Sequence, residues 1–323
     1  MKRILYVGYR DISHSIAGGY DAIINNTESD NLMGENVPFG FIPVSKRGKI
    51  LNIIFLSIIS RFMRFRYSIT HYFYGDTLIV PFIRFNKHKV VATVHLNVDD
   101  NRRNKQAFIK ALRSLDGIIV LSSNQKIILK EKYGLDSVFI PHGFNQPIFC
   151  KVQTELDIDV LNVCVLGRNY RDYETLKQVV NYCLAERSDI KFHFIGQPQY
   201  IKEIYNNYAN VVVYPRLSDD KYFSIIDDCD YSFLPLTFAT ANNALLEAGF
   251  LGVPSILPQI SGVDDYGAPS PLNLYYSSIM EVKLLFSNLE KHKSKSDELI
   301  SFCENNFLWD NVYKKLNKYY DTL

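Results

Sequence analysis

The sequence predicts an α/β protein of two domains, each built around a parallel sheet. Short apolar runs rich in β-branched residues alternate with longer segments of helical periodicity, which is typical of βαβ units. The 323 residues suffice for two domains at about 150 residues each, and 47% hydrophobic content is enough for two cores. A poorly patterned segment, residues 146–159, follows a tight turn at 141–145, and we place the interdomain linker there.

The first half is expected to occupy residues 1–150. Its predicted strands are residues 3–7, 90–94, 117–121 and 137–140, and its predicted helices are 106–114 and 124–133, with a further helix from Tyr20. Gly18 and Gly19 follow the first strand, where a glycine pair lets the backbone approach a ligand closely or simply forms a turn. His95 stands at the carboxyl end of strand 90–94, where open α/β sheets bind ligands, although a lone histidine there is often structural.

The second half, residues 151–305, repeats the alternation more cleanly. Its predicted strands are residues 160–167, 191–195, 211–214, 231–234 and 254–257, with a helix over 173–186. The tail, residues 306–323, is an amphipathic helix that places Trp309, Val312, Leu316 and either Tyr319 or Tyr320 on one face.

Charge and cysteine usage limit the environment in which the protein works. The net charge is +2, with the basic excess in the first half, which fits either an anionic surface or a solvated face. Nucleic-acid binding has little support, because no groove-reading module is present and the second half is acidic. Five isolated cysteines, no secretory signal and no apolar run of about 20 residues predict a cytoplasmic protein.

Residues 46–66 form the most apolar segment of the first half. An uncharged run over 50–60 is flanked by cations at Lys46, Arg47 and Lys49 and, on the other side, at Arg61, Arg64 and Arg66. As a helix the run is about 16 Å long, so it could lie in a membrane interface at the inner face of the cell membrane but could not cross it. A buried helix with solvated ends is the alternative.

The segment over residues 236–265 predicts an anion site. A polar loop leads into a short helix expected to start near Ala241 with Thr240 as its cap, and Gly252 and Pro254 end it before a buried strand. A helix N-terminus at the carboxyl edge of a parallel sheet favours anions, and Glu247 is placed to reach a ribose hydroxyl. Such an arrangement suits a nucleoside diphosphate.

A second loop in this half offers the matching cations. Gly167 ends a strand, and Arg168 and Arg171 follow it just before the helix over 173–186. Arginine is well suited to fork-like contacts with phosphate, although arginines in loops are often only solvated.

Several motifs occur in an order that resembles a known family. They are the TVH strand end, IVLSSNQKIIL with PHGFN, the GRNYRD loop, ANNALLEAGFLGVPSI, the GVDDY loop and the tryptophan-bearing terminal helix. Together they resemble bacterial nucleotide-sugar glycosyltransferases, and more narrowly the large retaining family of the glycosyltransferase-B fold that builds cell-surface polysaccharides and glycolipids. The resemblance covers nearly the whole chain and is strongest over residues 118–145 and 164–265.

The resemblance implies two Rossmann-like domains facing a central cleft, with the C-terminal helix crossing back to the first domain. The domain 1–150 would lie on the acceptor side, and the domain 151–305 would bind the nucleotide-sugar. Glu247 corresponds to the family's ribose-binding glutamate, Arg168 resembles its diphosphate-binding arginine, and Arg171 lies near a position where many members have lysine. The remaining implied roles are donor-phosphate contacts at Asn242, Asn243 and Ala244, a sugar-facing histidine at His95 and a closing glycine loop at Gly18 and Gly19.

One position departs from the family pattern. The family's first glutamate lies eight residues before the second, and Ala239 occupies that place here. Because that carboxylate contacts the transferred sugar, its replacement leaves open the sugar contacts and whether transfer retains or inverts configuration. An inverting enzyme would need a base within about 3 Å of the acceptor hydroxyl, for which His95, then Asp11 or His14, are the candidates.

The sequence therefore predicts a hexosyltransferase that moves a sugar from a nucleotide-sugar to a glycan or lipid-linked acceptor. A UDP-sugar is the favoured donor and a GDP-sugar is the next choice. No carboxylate pair is placed for a metal-bound diphosphate, so we expect no metal or other cofactor. The alternatives are a nucleotide-sugar epimerase or hydrolase on the same fold and a non-catalytic nucleotide-sugar binding protein.

Overall fold

The computed structural model describes residues 3–9, 17–33, 46–78, 88–99, 105–291 and 295–323. The chain divides into two compact units, the first made of Met1–Asn145 with Phe307–Leu323 and the second of Gln146–Asn306. Each unit contains a six-stranded parallel sheet with helices, which confirms the predicted α/β class.

Unit 1 orders its strands β2-β1-β3-β4-β5-β6. The strands are β1 (Ile4–Gly8), β2 (Asp30–Met33), β3 (Ile69–Tyr72), β4 (Lys89–Val94), β5 (Gly117–Val120) and β6 (Val138–Phe139). Within the described part of the first 145 residues the helices are α1 (Lys46–Met63), α2 (Gly75–Leu78), α3 (Lys105–Leu112) and α4 (Ser123–Tyr133), and 3-10 helices cover Tyr20–Asn26 and Arg64–Arg66. Strands β2 and β3 were not predicted, because both are four residues long and neither has a clear alternating pattern.

Unit 2 orders its strands β12-β11-β10-β7-β8-β9. They are β7 (Leu161–Leu166), β8 (Ile190–Ile195), β9 (Val211–Val213), β10 (Tyr231–Phe233), β11 (Ser255–Pro258) and β12 (Leu274–Tyr276). The helices are α5 (Tyr173–Glu186), α6 (Gln199–Tyr205), α7 (Asp219–Asp228), α8 (Asn243–Phe250), α9 (Ile279–Ser287) and α10 (Asp297–Phe307). Every residue of β7 is buried, as expected for a parallel strand covered on both faces.

The segment predicted as the linker belongs to unit 2. The backbone N–H of Cys150 donates to Asp220 at 2.9 Å, and that of Val152 donates to the Ser224 hydroxyl at 3.0 Å. Lys151 pairs with Asp227 and Asp228 at the C-terminal end of α7. These contacts hold the segment against α7.

The C-terminal helix α11 (Trp309–Asp321) lies in unit 1, which confirms the predicted crossing back. Its buried residues are Trp309, Val312, Leu316 and Tyr320, so Tyr320 rather than Tyr319 completes the apolar face. The Trp309 indole lies directly over Gly143, where an added Cβ would come within 2.3 Å of the ring. The PHGFN turn therefore serves as the docking surface for the tail.

Each unit buries a neutral histidine. In unit 1, Nδ1 of His71 lies 2.6 Å from the Tyr320 hydroxyl and Nε2 lies 2.7 Å from the Thr93 hydroxyl. Burial lowers the pKa of His71 to about 3. In unit 2, His193 bonds Asn162 at 2.8 Å, and burial lowers its pKa to about 4.

From Ile54 onward, helix α1 and the 3-10 turn after it have two contrasting faces. Leu56, Ser60 and Arg64 are buried, and the Ser60 hydroxyl lies 2.8 Å from that of Tyr72 on β3. The outer face carries four exposed apolar side chains at helical spacing, Ile54, Ile58, Phe62 and Phe65. Among the described residues, no helix is both long and apolar enough to span a bilayer.

Burial of His71 and His193 predicts a loss of stability below neutral pH. Above the ordinary histidine pKa both folded and unfolded chains are neutral, whereas below it only the unfolded chain takes up the protons. The free energy of unfolding should therefore fall by about 1.4 kcal/mol for each histidine between pH 7.5 and 5.5. Urea unfolding followed by far-ultraviolet circular dichroism, which reports on both units, measures the change. In a His193→Gln variant the fall should be smaller by about 1.4 kcal/mol, and a fall equal to that of the parent contradicts the assignment.

Candidate functional site

Two loops of unit 2 meet at the carboxyl edge of its sheet. One follows β7 and contains Arg168 and Arg171, and the other follows β10 and leads into α8; these two strands are neighbours. The N–H of Asp172 donates to the carbonyl of Pro235 at 2.8 Å, and that of Thr237 donates to the carbonyl of Tyr170 at 2.9 Å. The two predicted donor-binding segments therefore form one continuous surface.

Arg168 is the exposed cation of this surface. Its side chain makes no ion pair or hydrogen bond within the part of the chain that the structure describes. Tyr170, two residues later, has a φ of 53°, a left-handed conformation that is uncommon outside glycine, and its ring packs edge-on against Phe238 from the other loop. The bond to Thr237 and this ring contact hold the strained residue in place.

Arg171, in contrast, is used by the loop itself. Its Nε and Nη2 donate to the carbonyl of Leu166 at 3.1 and 2.6 Å, and its Nη1 donates to the carbonyl of Asn169 at 2.8 Å. Burial lowers the pKa of its guanidinium to about 10, still well above neutrality. Three of its five N–H groups therefore hold the end of β7 and the turn after it, a role that the sequence did not predict.

Helix α8 begins later than predicted and has a different cap. It starts at Asn243, and the Asn242 side chain, not Thr240, accepts from the N–H of Leu245 at 3.4 Å. Thr240 is buried two residues before the cap, so its hydroxyl is not the capping group. The backbone N–H groups of Asn243 and Ala244 have no acceptor among the described residues, which leaves the first turn available to an anion.

Glu247 lies in the second turn of α8 with its side chain buried. Its Oε2 accepts from the Tyr222 hydroxyl of α7 at 2.6 Å. Burial, reinforced by the negative charge of Glu247, raises the pKa of Tyr222 well above its ordinary value, so the phenol keeps its proton. Tyr222 was missed at the level of sequence, since nothing in the pattern of α7 distinguishes it from an ordinary core tyrosine.

The position of the missing glutamate is tightly packed. Ala239 is buried, and its carbonyl oxygen would lie 2.2 Å from a Cβ added to Gly262, which has a φ of 90°. The loop after β11 therefore packs against Ala239 and leaves no room for side-chain growth at Gly262. Alanine at 239 is part of a close contact between two loops.

In unit 1, His95 follows β4 at the carboxyl edge of the sheet, as predicted. Its Nε2 lies 2.7 Å from the carbonyl of Phe73, so this nitrogen carries a proton and donates. Its ring stacks on Tyr74 at a centroid distance of 4.8 Å. Its backbone N–H donates to Asp76 Oδ2 at 2.6 Å, and the N–H of Leu96 reaches the same carboxylate at 3.3 Å. Asp76, another residue that sequence analysis missed, thus fixes the turn that carries His95.

Gly18 and Gly19 are buried in unit 1, and Gly19 has a φ of 102° where the 3-10 helix Tyr20–Asn26 begins. The N–H of Asn145 donates to the carbonyl of Ala17 at 3.2 Å, which ties this loop to the turn that contacts α11. Asp11 and His14, the alternative bases, lie outside the described residues.

Acidic residues at three places in the chain already have partners or complement a helix dipole. Asp227 and Asp228 pair with Lys151, and Asp99 pairs with Lys105 and Lys132. Asp219 and Asp220 are in the first turn of α7, where they complement the helix dipole. Among the described residues, no cluster of three potential ligands could hold a metal ion.

Solved structures that share this fold are glycosyltransferases. Sucrose-phosphate synthase from Thermosynechococcus elongatus matches with a TM-score of 0.73 and 13% identity, over 99% of this chain and 99% of that one. HepE of Anabaena, in complex with UDP and glucose, matches with a TM-score of 0.68 and 10% identity, over 100% of both chains. WaaB, a lipopolysaccharide outer core galactosyltransferase, matches with a TM-score of 0.64 and 14% identity, over 99% of this chain and 100% of that one.

The sequence matches no protein-family model, and no curated protein is similar to it. At these identities the structural likeness shows the fold, which is the glycosyltransferase-B type that the motif order indicated. The chain thus combines the fold of nucleotide-sugar glycosyltransferases with a polar edge in unit 2 that carries an exposed arginine, free helix amides and a buried carboxylate.

Replacing the two arginines should have different effects on stability. Arg171→Ala removes charged donors from the carbonyls of Leu166 and Asn169, so the free energy of unfolding should fall by about 1 to 3 kcal/mol. Arg168→Ala removes an exposed side chain, and the change should stay within about 0.5 kcal/mol. Urea unfolding of both variants measures the difference. Equal stability of the two variants would show that Arg171 does not support the loop.

Proposed function

We propose that the protein is a glycosyltransferase that moves a sugar from a nucleotide-sugar donor to a glycan or lipid-linked acceptor. A UDP-sugar is the favoured donor and a GDP-sugar is the next choice. The observation that carries this proposal is the carboxyl edge of unit 2. Arg168, the free amides of α8 and Glu247 there offer a cation, backbone donors and a carboxylate to one ligand. A nucleoside diphosphate needs this set of groups, and solved HepE complexes of the same fold contain UDP and UDP-glucose.

Donor binding divides between the diphosphate and the ribose. The N–H groups of Asn243 and Ala244, at the positive end of the α8 dipole, and the guanidinium of Arg168 bind the diphosphate. Glu247 accepts from ribose hydroxyls. Arg171 contributes its nearby positive charge and holds the loop that carries Arg168.

The same groups lower the barrier to transfer. When the bond between sugar and phosphate breaks, negative charge develops on the departing diphosphate, and the preorganised amides and Arg168 stabilise it. This makes a metal ion unnecessary in the proposed mechanism.

His95 is proposed to orient the transferred sugar. Its Nε2 already donates to Phe73, and the Asp76 carboxylate fixes its backbone, so the residue is rigid. A rigid, proton-donating ring suits positioning better than proton abstraction, which favours transfer with retention of configuration. Gly18 and Gly19 are proposed to close over the donor and acceptor.

For the acceptor, we propose a glycan or a lipid-linked sugar of cell-surface polysaccharide synthesis. WaaB, with the same fold, is a lipopolysaccharide outer core galactosyltransferase. The apolar outer face of α1 gives a structural reason to place the acceptor at the inner face of a membrane.

A nucleotide panel tests the donor site. Differential scanning fluorimetry with UDP, GDP, CMP and UDP-sugars should show stabilisation by UDP ligands, since a ligand at 100 times its dissociation constant adds about 2.7 kcal/mol. Glu247→Gln and Arg168→Gln should each weaken UDP binding by about 1 to 3 kcal/mol, because each loses a charge-assisted bond. Lys191→Gln, a cation on β8, is the matched control and should bind UDP like the parent. Unaltered UDP affinity in both site variants would refute the site.

Transfer itself is measured by the release of UDP from UDP-sugars with and without a bacterial membrane extract. A glycosyltransferase should release UDP faster when the extract supplies acceptor, and it should keep its activity in EDTA. Equal release without acceptor indicates a hydrolase or epimerase, and UDP binding without any release indicates a binding protein. His95→Ala should lower kcat by at least ten-fold and leave UDP affinity within two-fold of the parent.

We also propose that α1 with its following turn touches an anionic membrane. Ile54, Ile58, Phe62 and Phe65 are exposed by 48%, 46%, 75% and 60%, and Arg66 is exposed beside them. Four apolar side chains on one face with cations close by suit a lipid interface, where rings enter the acyl boundary and cations meet headgroups. The cations at Lys46, Arg47 and Lys49 have side chains outside the described residues.

Vesicle co-sedimentation tests this surface. The parent should sediment with vesicles of phosphatidylglycerol and phosphatidylcholine, and less with phosphatidylcholine alone. Replacing Phe62 and Phe65 by Ser should weaken binding at least ten-fold, because transfer of each ring to the interface contributes about 1.5 to 3 kcal/mol. Ile127→Ser, which alters an exposed apolar residue on α4, is the control and should bind like the parent. Failure of the parent to sediment, or equal sedimentation of the double variant, contradicts the proposal.

A further inference from the structure

We infer that Tyr222 is a positioning residue for the ribose of the bound nucleotide, because its hydroxyl holds the Glu247 carboxylate in one orientation. This inference rests on the proposed function, since it specifies how the same site recognises its ligand. It assigns a role in specificity to a residue on α7, outside the loops that form the rest of the edge.

The contact is short and joins two helices. The Tyr222 hydroxyl donates to Glu247 Oε2 at 2.6 Å, the distance of a charge-assisted hydrogen bond from a phenol to a carboxylate. Tyr222 as a whole is half-buried, but its hydroxyl end is in the interior, and Glu247 is only 5% exposed. A buried carboxylate bonded in this way cannot rotate freely about its side-chain torsions.

The proton on this bond stays with the phenol. Burial and the charge of Glu247 both raise the pKa of Tyr222, whereas the nearby Arg171 guanidinium lowers it by a smaller amount. Tyr222 therefore donates, and Glu247 remains the acceptor. The bond between Tyr222 and Glu247 thus connects helix α7 to helix α8, and the positive charge of Arg171 acts on it from the loop after β7.

Fixing Glu247 matters for ribose recognition because the energy of a hydrogen bond depends on its geometry. A carboxylate that is already ordered accepts a ribose hydroxyl without losing side-chain entropy on binding, whereas a flexible carboxylate has to be ordered first. Loss of the phenol hydroxyl should therefore weaken the contact with ribose and leave the contacts with diphosphate unchanged. The ratio of UDP affinity to deoxy-UDP affinity should therefore fall, in addition to the affinity for UDP itself.

A purely structural tie between α7 and α8 would behave differently. It would change the stability of unit 2, and any loss in nucleotide affinity would be the same with or without ribose hydroxyls. Tyr231 offers a matched comparison, since its hydroxyl donates to the carbonyl of Glu290 at 3.1 Å within the same unit. Tyr231→Phe removes a tyrosine hydroxyl and its hydrogen bond to Glu290, and it leaves Glu247 and its bond to Tyr222 in place.

The experiment is titration calorimetry of the full-length parent, Tyr222→Phe and Tyr231→Phe with UDP, 2′-deoxy-UDP and 3′-deoxy-UDP. In the parent, removal of the hydroxyl that Glu247 binds should weaken affinity about ten-fold. In Tyr222→Phe, UDP should bind about three- to ten-fold more weakly than to the parent, and the deoxy analogue should be disfavoured by no more than about three-fold. Tyr231→Phe should keep the parent's ratio.

Each result decides the inference. An unchanged ratio of UDP to deoxy-UDP affinity in Tyr222→Phe overturns it while leaving the nucleotide site intact. A parent that binds UDP but shows no preference for either ribose hydroxyl also overturns it, because Glu247 then does not contact the ribose. A parent that binds no nucleotide overturns both the inference and the proposed donor site. Urea unfolding of Tyr222→Phe confirms that the tested variant is folded.

Discussion

The carboxyl edge of unit 2 depends on one half-buried cation, Arg171. Arg171 donates to the carbonyl at the end of β7 and to the turn after it, and the same turn is bonded to the loop after β10. Without these bonds the left-handed conformation of Tyr170 would lack support. The loop backbone that positions Arg168 would then not be fixed. The sequence offered Arg171 as a phosphate-binding arginine. In the structure Arg171 instead supports the loop that presents Arg168. Burying arginine in this way is favourable only because carbonyl oxygens satisfy its N–H groups.

The packing of unit 1 depends on helix α11, the C-terminal helix. Helix α11 supplies Tyr320 to the buried His71 and the Trp309 ring to the turn at Gly143. The same turn is tied to the glycine loop through Asn145 and Ala17. The last residues of the chain therefore hold the elements that carry His95 and the Gly18–Gly19 pair, which are separated from them by more than 200 positions in sequence. This explains why a tryptophan-bearing tail is a structural part of the first unit.

Periodicity predicted the long and strongly patterned elements well. Helix α5 has the predicted bounds, and the strands around Val90 and Cys164 are shifted by one residue at most at each end. Short strands such as β2 and β12 were missed, since three or four residues carry too little pattern. The start of α8 was misplaced by two residues because Thr240 and Asn242 are both residue types that cap helices well.

The sequence by itself determined the α/β class, the two-part chain and the identity of the polar residues at the sheet edges, because strand ends and hydrophobic periods are local properties. It also indicated Arg168, Glu247 and the first turn of α8 as groups for a nucleoside diphosphate. Only the tertiary structure decided which arginine is exposed, which residue caps the helix and which tyrosine bonds Glu247. Those facts depend on contacts between Leu166 and Arg171 across a turn and between α7 and α8 across 25 residues. No local pattern records such contacts, since they arise when separate elements pack at the same edge of a sheet.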